Sequence, residues 1–177
     1  MATLTKWVLD PTHSEVQFKV KHLVISTVTG SFKKFEGTLE TENDDFTGAE
    51  VNISLDVDSI DTNQDQRDGH LKSADFFDAE KYPTITFKST SFEKDGSDYT
   101  LKGDITIKDV TKPITLTAEH GGSATDFYGN TKAGFDVVGK INRKDFGLTW
   151  SATTEAGGVV VGDEIKLAIN IQLIKQA

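Results

Sequence analysis

Arg67, Asp68 and His70 fall within one short polar segment, and their types suggest chemistry beyond packing. A guanidinium offers a fork of N–H donors suited to an oxyanion, and an Asp beside a His sketches an acid–base pair. The favoured reading of the same residues is a surface network that holds a short helix to the end of the fold. Arg143 carries the same two readings, with Asp145 as its structural partner. The four histidines, His13, His22, His70 and His120, raise a metal site. None of them forms a His-x-His pair on a strand or an i, i+4 pair on a helix, so no metal site is predicted. His13 instead reads with Asp10 and Ser14 as a cap on the turn into a strand. There is no cysteine, no Gly-x-Ser-x-Gly elbow, no phosphate loop and no dinucleotide fingerprint. No catalytic residue is predicted, and the chain is read as a binding protein without enzymatic activity.

The elements that would position these residues are strands. Val51, Ile53, Leu55 and Val57 alternate with Asn52, Ser54 and Asp56, and Ile165, Leu167, Ile169, Ile171 and Leu173 repeat the pattern. A period of two gives a strand one dry and one wet face. Alternation predicts eight long strands over 15–21, 34–41, 51–57, 84–93, 99–107, 114–120, 131–141 and 163–175, with a short one at 7–9. Short helical segments are expected near 23–28, 64–72 and 142–146, and a mobile loop over 151–162. Residues 109–113 read as a turn, and Phe76 and Phe77 as a loop that is either a plug or an exposed landing patch. No repeat or linker is visible, so one domain over 1–177 is predicted: all-β, a single antiparallel barrel of eight strands.

Composition narrows the partners. Nineteen basic against 28 acidic residues give a net charge of −9, which argues against nucleic acid and would repel an anionic membrane surface. No stretch approaches the roughly 20 apolar residues of a membrane span. The first residues, Met1 to Trp7, lack the apolar core of a signal peptide, which predicts cytoplasmic residence. A chain already trimmed of its leader would read the same and would be periplasmic. The apolar run Leu23, Val24, Ile25 has no obvious home and raises a homodimer.

An eight-stranded barrel has an interior that side chains just fill or that holds one small ligand. The inward phase places Phe18, Val20, Phe35, Ile53, Leu55, Ile85, Phe87, Leu101, Ile105, Leu116, Phe135, Val137, Leu167 and Ile169 on the wall. Gly37, Gly103, Ala118, Ala133 and Gly139 share that phase, either to leave room or to let the barrel curve. A tube so lined suits an extended hydrocarbon. About twelve buried carbons would contribute on the order of 9 kcal/mol before ordering costs.

The stretch from Trp7 to His22, then Gly30-Ser31-Phe32 and Phe35-Glu36-Gly37, resembles the start of the YceI-like family. So do Arg67 to Leu71 with Phe76 and Phe77, Tyr82 to Phe87, the Gly103, Ile105, Ile107 strand with Val110 to Pro113, and Arg143 to Gly147. Each motif is short, but the ordered set covers Trp7 to Ile174. The resemblance implies an extended lipocalin-like barrel that binds, stores or transports a polyisoprenoid lipid, such as a polyprenyl quinone or prenyl pyrophosphate. It implies no established catalytic activity and no cofactor beyond the bound lipid or quinone. His22, Arg67, His70, Phe76, Phe77 and Arg143 are then the candidates at the mouth. A quinone-linked redox or stress-response protein and a filled structural barrel are the alternatives.

Overall fold

The computed structural model describes residues 4–22, 26–42, 46–74, 76–148 and 161–176. Its strands are β1 (Thr5–Leu9), β2 (Glu15–His22), β3 (Ser26–Phe32), β4 (Phe35–Thr41), β5 (Glu50–Asp56), β6 (Ile60–Asp61), β7 (Thr84–Asp95), β8 (Asp98–Ile107), β9 (Val110–Thr125), β10 (Thr131–Asn142) and β11 (Val161–Lys175). All pairings are antiparallel, in the order β1-β4-β5-β7-β8-β9-β10-β11-β2-β3-β6, and β1 also pairs with β11. Three pairs of short strands behave as single bent staves. β1 and β2 lie end to end along β11, β4 and β3 along them, and β5 and β6 along β4 and β3. The result is a closed barrel of eight staves, as alternation predicts.

The bends have local causes. Pro11–His13 forms a 3-10 turn whose first N–H groups meet Asp10, with Thr12 N–H donating to its carboxylate at 3.0 Å. That carboxyl is held below its ordinary range, first by the Thr12 hydroxyl and further by His13, 2.8 Å away. Ser14, expected in the same cap, turns instead to β11 and accepts from Gln172 N–H at 2.9 Å. Val57–Ser59 makes the matching turn in the third stave, capped by Asp56. Hydrogen bonds from Lys33 N–H to Ser59 O and from Asp56 N–H to Lys34 O tie the bends together across neighbouring staves. β11 has no such break, so one continuous strand clamps both halves of the first stave.

Alternation holds in detail. On β8, Tyr99, Leu101, Gly103, Ile105 and Ile107 are buried, and the residues between are exposed or half-exposed. Three expectations need correction. Residues 26–28 are strand, not a helical turn; 23–25 lie outside the described residues, as does most of the loop expected over 151–162. Residues 110–113 continue β9 rather than turning. β10 pairs with β9 only from Thr117 onward, so Pro113 sits where the strand has a single neighbour and the missing N–H breaks no ladder bond there. The small inward residues do not simply leave space: a Cβ at Gly103 would lie 2.5 Å from Cζ of Phe87, and one at Gly139 would strike Leu116. Those glycines are seats for large neighbours on adjacent staves.

The helix expected near 64–72 is α1 (Asp65–Lys72), and the segment near 142–146 is a 3-10 turn at Arg143–Phe146. Both stand at one end of the barrel, the helix end. At the other, the hairpin end, Phe46 turns inward with a left-handed backbone (φ 68°). Its ring meets Trp7 at 5.3 Å, His120 at 5.4 Å and Phe135 at 5.2 Å. Phe92 and Tyr99 stack beside them at 4.8 Å, so an aromatic plug closes this end. No described helix is long and apolar enough to cross a membrane.

Candidate functional site

Between the plug and α1 runs an apolar cavity of about 180 Å3. Its size is close to the roughly 150 Å3 of an engineered dry cavity that holds one benzene, and below the roughly 300–1,000 Å3 of drug-sized pockets. It runs the length of the barrel, from Phe92, Phe135 and Leu173 near the hairpin end to Leu71, Phe77 and Arg143 near the helix end. The wall is built by the alternation itself. All five aliphatic residues of the β11 run, Ile165 to Leu173, face it. Of the inward set read from the sequence, every member lines the cavity except Phe35. Phe35 opens its strand directly after the bend at 33–34 and lies half-buried against the core instead. Gln17, Thr38, Thr86 and Arg143 are the non-apolar side-chain types on the described wall.

The helix end is closed from inside the sequence segment that joins β6 to β7. α1 is a weakly amphipathic helix, so packing of its own face cannot hold it in place. Polar contacts do. Asp68, buried, accepts from the backbone N–H and hydroxyl of Thr62, and Arg67 donates Nε–H to the Thr62 hydroxyl at 2.8 Å and Nη2–H to its carbonyl at 2.6 Å. Arg67 and Asp68 therefore form the anchoring network, and Arg67 is not part of the cavity wall. His70 packs edge-on against Phe76 at 5.0 Å and is also off the wall. Thus anchored, the segment places Leu71, Phe76 and Phe77 at the end of the tube. Phe77 meets Phe32 at 6.3 Å, and Phe32 meets Phe18 at 5.7 Å, completing the stopper.

Arg143 is the single charged residue on the described wall, and it is only 2% exposed. Its Nε–H donates to Gly162 O at 2.9 Å and its Nη1–H to Leu148 O at 2.7 Å. The acidic partner is Asp163 on β11, 3.5 Å from Nη2, and not Asp145, which stays exposed on the 3-10 turn. Burial pushes the guanidinium pKa down and Asp163 opposes that shift. This side chain latches the 143–148 segment onto the start of β11. Replacing it should therefore show first in stability. Arg143→Met strands the buried Leu148 carbonyl, a cost of about 1–3 kcal/mol, and the part-buried Gly162 carbonyl besides. Arg143→Lys should recover little because an ammonium lacks the fork. Thermal unfolding checks this, and an unchanged midpoint in Arg143→Met would remove the latch.

Of the remaining candidates, the His22 side chain lies outside the described residues. His13 is exposed at the first bend, and His120 is built into the aromatic plug, stacked on Phe135 at 4.9 Å. No group of three or more His, Cys, Asp or Glu among the described residues could hold a metal ion. Sequence reasoning missed Phe32, Phe92, Leu71 and Leu148 on the wall, and Trp7 and Phe46 in the plug. Phe92 follows a β-bulge at Ser89–Ser91 that inverts the phase set by Ile85 and Phe87, Phe32 lies on a strand that alternation did not reveal, and Phe46 follows an acidic turn and carries no periodic signal.

Relatives share this architecture. The YceI-like domain family matches residues 7–173. Protein YceI of Escherichia coli O17:K52:H18 is 40% identical over 164 residues, covering 93% of this chain and 83% of that one. The crystal structure of the Campylobacter jejuni YCEI protein superposes with a TM-score of 0.75 at 35% identity, over 90% of this chain and 91% of that one. A polyisoprenoid-binding domain from Saccharophagus degradans, implicated in plant cell wall breakdown, shares the fold with a TM-score of 0.69 at 16% identity, over 96% and 98%. With its barrel, its ordered motifs and these relatives in agreement, the chain belongs to the YceI-like family.

Proposed function

We propose that the barrel is a non-enzymatic carrier or store for a long-chain isoprenoid lipid, of the polyprenyl quinone or prenyl pyrophosphate type. The observation that carries this reading is the continuous apolar tube between two closed ends, with one cation at the helix end. A prenyl tail threaded along it gains about 0.8 kcal/mol for each buried CH₂, without any polar contact. The head group rests toward the helix end, where Arg143 offers the one positive charge on the described wall. Shared fold with a polyisoprenoid-binding domain supports the same ligand class. A barrel packed solid by its own side chains fits less well, because space for about 180 Å3 remains. A quinone-linked redox role would need ionisable groups converging on the head group, whereas Asp68 is spent on Thr62 and His70 packs on Phe76.

The experiment is displacement of a fluorescent prenyl probe by geraniol, farnesol and geranylgeraniol. Burial of up to five carbons per isoprene unit predicts an affinity gain of about tenfold or more per unit until the tube is full. Native mass spectrometry of the purified protein should show an extractable isoprenoid approaching one per chain. No displacement by any of the three alcohols would reject the carrier reading.

A further inference from the structure

β9 and β10 outrun the barrel wall at the hairpin end. β8 begins at Asp98, opposite Glu119, so β9 beyond that row pairs with β10 alone. The tip of this projecting hairpin, residues 126–130, carries Phe127 at 106% exposure and Tyr128 at 90%. Leu4, 57% exposed, leads into β1 at the same end. Val138, the other strongly exposed large hydrophobic among the described residues, lies on β10 and not at this end. Scattered apolar residues on a surface are ordinary. Two fully exposed aromatics side by side at the summit of a projecting hairpin are not.

The turn beneath them is finished internally. Asp126 accepts from Tyr128 N–H at 2.9 Å and Asn130 N–H at 3.0 Å through one carboxylate oxygen. Asp126 N–H donates to Asn130 O, and Gly129 N–H to Asp126 O. The N–H groups of residues 126, 128, 129 and 130 thus all have partners within the tip. The Asp126 carboxyl is held below its ordinary range, first by the Asn130 N–H, and Lys132 lies 3.4 Å from it. No charged residue stands between them, from Phe127 to Thr131.

We propose that this tip is a membrane-docking element: Phe127 and Tyr128 enter the interfacial layer of an electrically neutral bilayer and seat the hairpin end of the barrel on it. A bilayer accepts aromatic rings one at a time, with apolar bodies buried and a tyrosine hydroxyl left wet. Backbone enters that layer more readily when its N–H groups are already paired, as four of the five in this turn are. Two rings offer about 300–500 Å2, short of the roughly 800 Å2 that each partner of a standard protein interface buries, so a lipid surface suits them better than a protein partner. The chain's net charge of −9 selects against anionic surfaces. The inference builds on the lipid-binding reading of the cavity, since a carrier of apolar lipid must meet a membrane to load or deliver.

The test is flotation of the full chain with phosphatidylcholine vesicles. The protein should float with them, binding should resist high salt, and added phosphatidylserine should weaken it. A Phe127→Ser, Tyr128→Ser double variant should lose about tenfold or more of vesicle binding, in proportion to the apolar area removed. The single variant Phe127→Trp should retain binding and be quenched by brominated lipid. A chain that fails to float, or a double variant that floats equally, overturns the proposal. So does tip-dependent self-association without flotation, which would assign the tip to a second copy. Prenyl-probe binding without vesicles is measured in parallel. Probe binding without flotation defeats docking alone, and tip-dependent flotation without probe binding defeats the cavity reading alone.

Discussion

A Val137→Trp barrel should stay folded and lose its prenyl ligand. Val137 is buried on the cavity wall midway along β10, between Ala118 on β9 and Ile169 on β11. An indole there projects into a space of only about 180 Å3 and blocks it. Excluding four or five methylenes from the tube costs about 3–4 kcal/mol, or two to three orders of magnitude in affinity. Overpacking costs the fold about 1–3 kcal/mol, less than the total stability of an ordinary domain. Probe titration beside circular dichroism separates the two effects. Full affinity in a folded Val137→Trp protein would place the lipid somewhere other than the tube.

The largest loss of stability is expected from Phe135→Ala. Phe135 is the hub of the aromatic plug, 4.9 Å from His120, 5.2 Å from Phe46, 5.9 Å from Phe92 and 6.1 Å from Tyr99. Truncating a buried Phe costs about 3–5 kcal/mol, for the transfer term and the hole together. In a domain of this size that lowers the melting temperature by on the order of 10 °C. The same change opens the hairpin end, so lipid should also leave faster. A shift of only a degree or two would mean that the remaining rings close over the gap.

The barrel was legible because its code is local. β8, β10 and β11 alternate without interruption, and each inward residue faces the interior as its phase requires. β3 was hidden because one of its inward positions is Gly30, whose missing Cβ makes way for the ring of Phe18 on β2. That complementarity lies across two strands and is invisible along one. Phe46 was unreadable for a similar reason: a loop residue with left-handed backbone is held by three rings from distant staves. At the helix end, the residue types of Arg67 and Arg143 were legible but their duties were not. Thr62 stands five residues from Arg67, and Asp163 twenty from Arg143, and only the fold shows which oxygens each guanidinium reaches.

β11 joins the last residues of the chain to the first, with Trp7 opposite Lys175 and Val20 opposite Ile165. Until β11 takes its place between β10 and β2, the barrel is therefore an open, greasy gutter. Ring closure of such sequence separation is slow and leaves that gutter exposed meanwhile. Deleting residues 167–175 should thus harm solubility far more than deleting as many from a loop.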